Sequence, residues 1–360
     1  MRKFRVLFVY LSPTSFVRDD QENLAERVEL VPFHFDVDRA RTVQGLAAQW
    51  AAQRKWLKRE LAGADLVYGW FADYHMVLPI TYARRQAKPV VVALGGYDCL
   101  SLPELGYGVF SSPWRAPLAR YVLRRASMLL PVSETLWCSE NRFSAWPASK
   151  RFGLCVHVPG VRTPHRELPT GYLPERWPAG PAQRAPSVAS VGLIDSEQTL
   201  RRKGIDLVLA VASQLPEISF RVIGVSDAMK EWIRSHLTVA SNVSIEGPVP
   251  RDELARVYQA TSVYLQLSRA EGMPNVLCEA MLCGCVPVVS RVFGNPAGAG
   301  DAGFVVDEPT PEAMAGAIRA ALAADVSCRE RARSHVMARF HRSRRADGLQ
   351  EVFRTLVAEA

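Results

Sequence analysis

The 360-residue chain contains no apolar run approaching the ~20 residues of a membrane span, so no stretch of it reads as a transmembrane helix. It has neither a low-complexity tract nor a repeat in the solenoid range, which excludes an array architecture. Its seven cysteines, Cys99, Cys138, Cys155, Cys278, Cys283, Cys285 and Cys328, form no C-x-x-C pair, and an odd number cannot all be bridged. Three of them share one apolar stretch, where a thiol acts as a small hydrophobe, and a reducing cytoplasm is the expected compartment. The opening "MRKFRVLFVYLSPTS" is basic and then apolar, but too briefly for a signal peptide and without a small-residue cleavage site, so it reads as a first strand. That strand is not followed by the glycine-rich G-x-G-x-x-G turn of a dinucleotide fold, which counts against a dehydrogenase.

What is present is a globular composition, 48% hydrophobic and 22% charged, long enough for two domains. Strand-like runs "FRVLFVY", "ADLVYGW", "KPVVVAL" and "SMLLPVS" alternate with helix-like segments in the first half. The pattern returns in "PSVASVGLI", "ISFRVIG", "NVSIEG", "SVYLQLS" and "VPVVS". Such alternation argues for parallel sheets covered by helices. Between the halves, residues 159–186 hold seven of the 24 prolines and read as a linker. The expected organisation is a first domain over 1–160, a linker over 161–186, a second domain over 187–341, and a last helix over 342–360 that returns to the first. Charge is uneven: of the net +8, residues 1–160 carry +7 and residues 161–360 carry +1. A basic first half suits an anionic partner such as a membrane surface or an acidic acceptor, or is an ordinary solvated surface. No module with interleaved aromatic and basic readers points to nucleic acid.

The stretch "SRAEGMPNVLCEAMLCGCVPVVS", Ser268 to Ser290, follows the strand-like "TSVYLQLS" and reads as loop, helix, strand. Pro274 suits a first helical turn, and Gly284 suits the left-handed residue after the last. Glu271 then lies in the loop beyond the carboxyl end of a strand, where parallel sheets bind ligands, and Glu279 lies about one and a half turns into the helix. Between them the helix start favours phosphate. A ligand gripped at both ends with phosphates in the middle has the shape of a sugar nucleotide. Upstream, Gly192 follows a strand, and Arg201, Arg202 and Lys203 precede Gly204 and another helix, so these cations can neutralise a diphosphate.

"RRKG" with a following helix, then "GPVPRDELARVYQATSVYLQLSRAEGMPNVLCEAMLCGCVPVV", resembles the donor domain of family 4 retaining glycosyltransferases, from about Pro186 to Asp307. The E-x7-E spacing inside G-x-P-x-x-x-x-E-A-M-x-x-G carries the resemblance. It implies the GT-B fold, two doubly wound Rossmann-like domains facing a cleft. It further implies that Glu271 holds the donor sugar and Glu279 the ribose, and that Gly272, Met273, Pro274, Asn275 and Val276 bring backbone to sugar and phosphates. Lys203 with Arg202 would clamp the diphosphate. Where many relatives place an Arg after the glycine of the first strand turn, this chain has Leu193, leaving Arg201 or Arg202 as the second cation.

The first half resembles the same family's acceptor domain more loosely, through "GGYD" and "ASMLLPVSETL". Relatives often carry a His at a strand end filled here by Gly95 or Gly96, so Asp98 and His75 are its candidate replacements. The D-x-D formed by Asp36 and Asp38 lies outside the donor half, and no metal is expected. Trp114 and Tyr121, with Arg115, Arg120, Arg124 and Arg125, suit either an anionic leaflet or a helix packed on its sheet.

The resemblance thus implies metal-independent, retaining transfer of a hexose-type sugar from a nucleoside-diphosphate sugar. The acceptor is a hydroxyl of a glycan or lipid-linked molecule in cell-surface polysaccharide, lipopolysaccharide or glycolipid synthesis, handled in the cytoplasm or at the inner membrane face. No cofactor beyond the donor substrate is expected. A sugar-nucleotide epimerase of the same fold and a non-catalytic sugar-nucleotide or glycan-binding scaffold are the competing readings.

Overall fold

A computed structural model describes residues 3–360. The first half runs β1 (Arg5–Tyr10), α1 (Ser15–Ala25), β2 (Glu29–His34), α2 (Val43–Glu60), β3 (Leu66–Trp70), α3 (Val77–Arg85), β4 (Val90–Leu94), α4 (Arg115–Leu123) and β5 (Met128–Pro131). A hairpin of β6 (Ser139–Asn141) and β7 (Lys150–Phe152) and the short α5 (Leu154–His157) follow. The second half runs β8 (Ser187–Ile194), α6 (Glu197–Lys203), α7 (Ile205–Ala212), β9 (Ser219–Val225), α8 (Asp227–His236), β10 (Val243–Glu246), α9 (Arg251–Ala260) and β11 (Val263–Gln266). It continues through α10 (Asn275–Leu282), β12 (Val286–Ser290), α11 (Asn295–Ala299), β13 (Phe304–Val306), α12 (Pro311–Ala323), α13 (Val326–Arg339) and α14 (Arg342–Glu359).

The first sheet has order β2-β1-β3-β4-β5 and the second β10-β9-β8-β11-β12-β13. All pairings inside both sheets are parallel. A parallel sheet covered on both faces needs strands apolar on both sides. β3, β4, β11 and β12 meet that demand, with every residue buried. Strand order reverses between β1 and β3 in one sheet and between β8 and β11 in the other. Those two switch points, at the carboxyl ends of the strands, are where such sheets bind ligands.

Residues 161–186 form no long helix or strand, yet they are well tied. The amide of Leu129 donates to Pro164, and those of Arg166 and Leu168 donate to Leu129 and Pro131, which extends the first sheet past β5. Trp177 of the same segment is buried. At the far end, α14 packs beside α1, where Arg345 binds buried Asp20 at 2.5 and 2.7 Å. Arg345 also meets the Tyr68 hydroxyl and the carbonyls of Leu168 and Pro169. Among the described residues, no helix is long and apolar enough to cross a membrane.

Two local expectations need correction. Cys138 and Cys155 are joined in a disulfide, at odds with a chain kept fully reduced, while the other five cysteines are free and buried. The pair comes together because the turn after β5 and the start of α5 are brought side by side by the β6–β7 hairpin, a proximity that a separation of 17 positions in the sequence does not reveal. Gly192 lies within β8 rather than after it, since the strand runs on to Ile194 past an irregularity in its pairing with β9.

Candidate active site at the meeting of the two halves

The second switch point lies between the ends of β8 and β11. From β8 the chain enters α6, capped by the Ser196 side chain accepting from the Thr199 amide, and Arg201, Arg202 and Lys203 form its last turn. They are therefore helical, because the cap and Glu197 start the helix early and cations suit its end. Gly204, at φ +72°, turns the chain directly into α7. From β11 the chain enters the Ser268–Pro274 loop and then α10, which Gly284 terminates at φ +83°.

The end of α6 and the Ser268–Pro274 loop meet at one ion pair: the Lys203 ammonium donates to Glu271 at 2.5 Å, and both side chains are mostly shielded. The Lys203 stem passes beside Gly192, where a Cβ would lie 3.7 Å from it. Beyond Glu271, Gly272 to Val276 lead into the first turn of α10, whose leading backbone N–H groups have no acceptor inside the helix. Glu279 sits farther along α10, 4% exposed, with Arg251 of α9 donating to it at 2.9 Å. Burial pushes its carboxyl up to about 7, opposed by Arg251 and reinforced by Asp19.

Of the other cations, Arg202 lies over the Tyr107 ring at 4.7 Å, reaching across to the first half. Arg201 turns back to Glu197 and its carbonyl accepts from Arg269, so it belongs to the rim rather than to the Lys203–Glu271 pair.

The first half closes on this site through backbone and small polar groups. A Cβ on Gly272 would lie 2.1 Å from the Gly95 carbonyl oxygen, and one on Gly294 would lie 2.0 Å from that of Gly272. The Gly95–Gly96 loop, where relatives were expected to place a His, thus touches the Ser268–Pro274 loop directly. Asn141 and Ser144 both donate to the Arg269 carbonyl, at 2.8 and 2.9 Å. Asn275 donates to Ser15 at 3.2 Å and accepts from Tyr172 at 2.8 Å.

The two candidate replacements for that His are not open to the cleft. Asp98 is fully buried and accepts from the amides of Ala72, Gly95 and Gly96. Burial raises it to about 6, against the pull of those amides. It braces the loop that touches Gly272. His75 is fully buried on the α2 side of its sheet, its Nε2 2.9 Å from the Trp70 carbonyl, and burial lowers it to about 4. Its expected place in the cleft is corrected to the core, because the turn after Asp73 folds inward against Phe35 and Gln53.

The amphipathic stretch around α4 is also less exposed than its composition suggests. Arg115 pairs with buried Asp73 and Arg120 donates to the His157 carbonyl, leaving Arg124 and Arg125 at the surface beside Arg84 and Arg85. Asp36 accepts from the amides of Asp38 and Arg39, and both aspartates pair with arginines three positions on. The D-x-D is a turn cap.

Sequence reasoning missed Arg251, Tyr107, Asn141 and Ser144. Arg251 stood inside the quoted "GPVPRDEL" without a role, and the others lie in segments carrying no recognisable spacing.

Residues 185–324 match the family described as Glycosyl transferases group 1. A D-inositol 3-phosphate glycosyltransferase of Segniliparus rotundus is 31% identical over 195 residues, covering 48% of this chain and 43% of that protein. A second D-inositol 3-phosphate glycosyltransferase, of Acidothermus cellulolyticus, is 33% identical over 133 residues, covering 35% of this chain and 29% of the relative. The chain therefore spans less than half the length of these curated relatives. In fold the similarity is end to end. A sucrose-phosphate synthase of Thermosynechococcus elongatus superposes with TM-score 0.74 at 19% identity, over 99% of this chain and 100% of that one. The HepE protein of Anabaena, solved with UDP-glucose, gives 0.72 at 15% identity, over 98% and 99%. The architecture is the GT-B fold, two Rossmann-like units with their switch points facing.

Proposed function

We propose, from the match of residues 185–324 to the family described as Glycosyl transferases group 1 and from the GT-B fold, that the chain transfers a hexose-type sugar from a nucleoside-diphosphate sugar to a hydroxyl, with retention and without a metal. The observation that carries the reading is the Lys203–Glu271 pair at the second switch point, with the α10 start beside it and Glu279 beyond. A donor laid along this line meets Glu271 with its sugar, the helix start and Lys203 with its diphosphate, and Glu279 with its ribose.

Lys203 and Glu271 satisfy each other. Donor binding then exchanges that contact: the ammonium moves to phosphate oxygen and the carboxylate accepts from sugar hydroxyls. Fixed cations and amide dipoles aimed at the leaving diphosphate gain value as the bond to the sugar breaks, which is what lowers a barrier. The family's retaining route has the leaving phosphate accept the acceptor proton on the same sugar face, and it requires no enzymic nucleophile. Asp98 and the Gly95–Gly96 loop would shape the acceptor side through backbone.

The acceptor is proposed to be a glycan or a lipid-linked molecule. The exposed Arg84, Arg85, Arg124 and Arg125 support a peripheral position on an anionic leaflet.

A thermal-shift panel of UDP, GDP and ADP sugars tests the donor site, since a ligand at 100 times its Kd stabilises the fold by about 2.7 kcal/mol. One donor class is expected to raise the Tm of the wild-type chain. Lys203→Ala is expected to lose that shift and the release of nucleoside diphosphate while keeping its own Tm. A variant that still responds and turns over like wild type removes the clamp from the mechanism.

A further inference from the structure

Beyond Lys203 and Glu271, an ion cluster spans the seam between the halves, and its centre is Arg251. This residue opens α9 directly after the "GPVP" loop. Its guanidinium donates to Glu279 Oε1 at 2.9 Å, and the same nitrogen lies 3.8 Å from Asp19 Oδ2 on α1 of the opposite half. Its guanidinium carbon lies 5.6 Å from the centroid of the buried Trp177 ring, which fixes its direction. Asp19 is held in turn by Arg176 at 3.4 Å. The contact with Glu279 occupies one carboxylate oxygen and leaves the other to accept from a hydroxyl.

We propose that Arg251 is a positioning residue of the nucleotide site: it aims the Glu279 carboxylate, and by standing between Glu279 and Asp19 it links that carboxylate to the contact between the two halves. The proposal rests on the reading of Glu279 as the ribose grip.

The physical basis is a buried carboxylate with one cationic partner. Burial alone drives Glu279 toward its neutral form, and a neutral acid is a poorer acceptor for two ribose hydroxyls. Arg251 opposes that drift, while Asp19 across the seam adds to it. The other groups around Glu279 are Tyr258 on α9, Tyr264 on β11, Tyr172 of the connecting segment, and Cys278 and Cys283 of its own helix region. Burial raises the pKa of all five, so they stay neutral near pH 7. The charge on Glu279 is therefore set by Arg251 and Asp19, one from each half. Arg251 is thus divided between two carboxylates, one from each half.

Carboxyl 13C NMR of glutamate-labelled protein tests this, with the Glu279 signal identified by its loss in Glu279→Gln. Arg251→Met is expected to raise the Glu279 titration midpoint by about one unit or more, Arg251→Lys to restore most of the shift, and Asp19→Asn to lower the midpoint. Midpoints that stay in place, or that move in the same direction in Arg251→Met and Asp19→Asn, overturn the bridge. Calorimetric titration with UDP, GDP and ADP at pH 6.5 and 8.5 then tests the link to ligand. Arg251→Met is expected to bind about tenfold more weakly at the lower pH and to recover at the higher. Equal loss at both pH values makes Arg251 a plain contact and overturns the positioning role. A wild-type chain that binds none of the three nucleotides overturns the reading of Glu279 instead, a failure separate from that of the bridge.

Discussion

At the scale of single residues, burial decides chemistry more than residue type does. His75 and Asp98 were both legible as polar residues after apolar strands, and nothing local separated a cleft group from a core one. In the fold both are sealed, and their titration moves in opposite directions. His75 is lowered to about 4 from an ordinary 6.5, so its neutral form is the folded one. The stabilising effect is complete above about 6.5 and is lost as pH falls toward 4, where the unfolded chain binds a proton that the folded chain refuses. Asp98, raised to about 6, acts in the reverse sense, favouring the fold at low pH and losing that advantage as pH climbs from about 4 to 6. Urea unfolding of His75→Gln, which keeps a donor for the Trp70 carbonyl, isolates the first effect. Wild type should lose stability relative to the variant between pH 7 and 4.5, by on the order of 2 kcal/mol. A difference independent of pH shows that His75 is not held neutral.

At the scale of elements, the proposed donor site depends on where helices stop. α6 places Lys203 in its last turn, and the αL residue Gly204 redirects the chain at once into α7. A Cβ there would stand 2.0 Å from the Leu267 carbonyl oxygen, which belongs to the chain just past β11. Gly204→Ala therefore combines a left-handed backbone cost of about 1 kcal/mol with a backbone collision that must push α6 away from β11. The expected result is a Tm drop of several degrees together with loss of the Lys203–Glu271 contact, read as weakened nucleotide-sugar binding in the surviving fold. Unchanged binding in a folded variant shows that Lys203 reaches the ligand without this turn. The "RRKG" string announced the glycine but not its collision partner, because Leu267 is 63 positions away. The α10 boundaries were readable, by contrast, since Pro274 and Gly284 act through local backbone preferences.

At the scale of the whole molecule, α14 begins in the second half and ends on the first. Its Arg345 is 3% exposed and is held by Asp20, which also accepts from the Tyr68 hydroxyl and the Trp70 indole. Removing one member strands a buried charge, at a cost of about 3–5 kcal/mol, whereas removing both spares that penalty. Equilibrium unfolding should therefore show Arg345→Met and Asp20→Asn each strongly destabilised and the double variant markedly less so than their sum. Additive losses in the cycle rule out the coupling. The same network explains why the connecting segment is ordered despite its prolines: Leu168 and Pro169 supply carbonyls to Arg345.

The sequence by itself determined the two parallel sheets, the switch-point loop bearing Glu271, the helix bearing Glu279 and the cations ahead of Gly204. These follow from apolar period, capping and backbone preference, all properties of residues within a few positions of one another. The tertiary structure alone decided that Lys203 closes on Glu271, that Gly95 abuts Gly272, that His75 lies in the core, and that Arg251 stands between Glu279 and Asp19. Those are contacts between segments tens to hundreds of positions apart. The free energies that select them, desolvation of charge and the exclusion of a Cβ, arise only once the chain has brought both partners out of water.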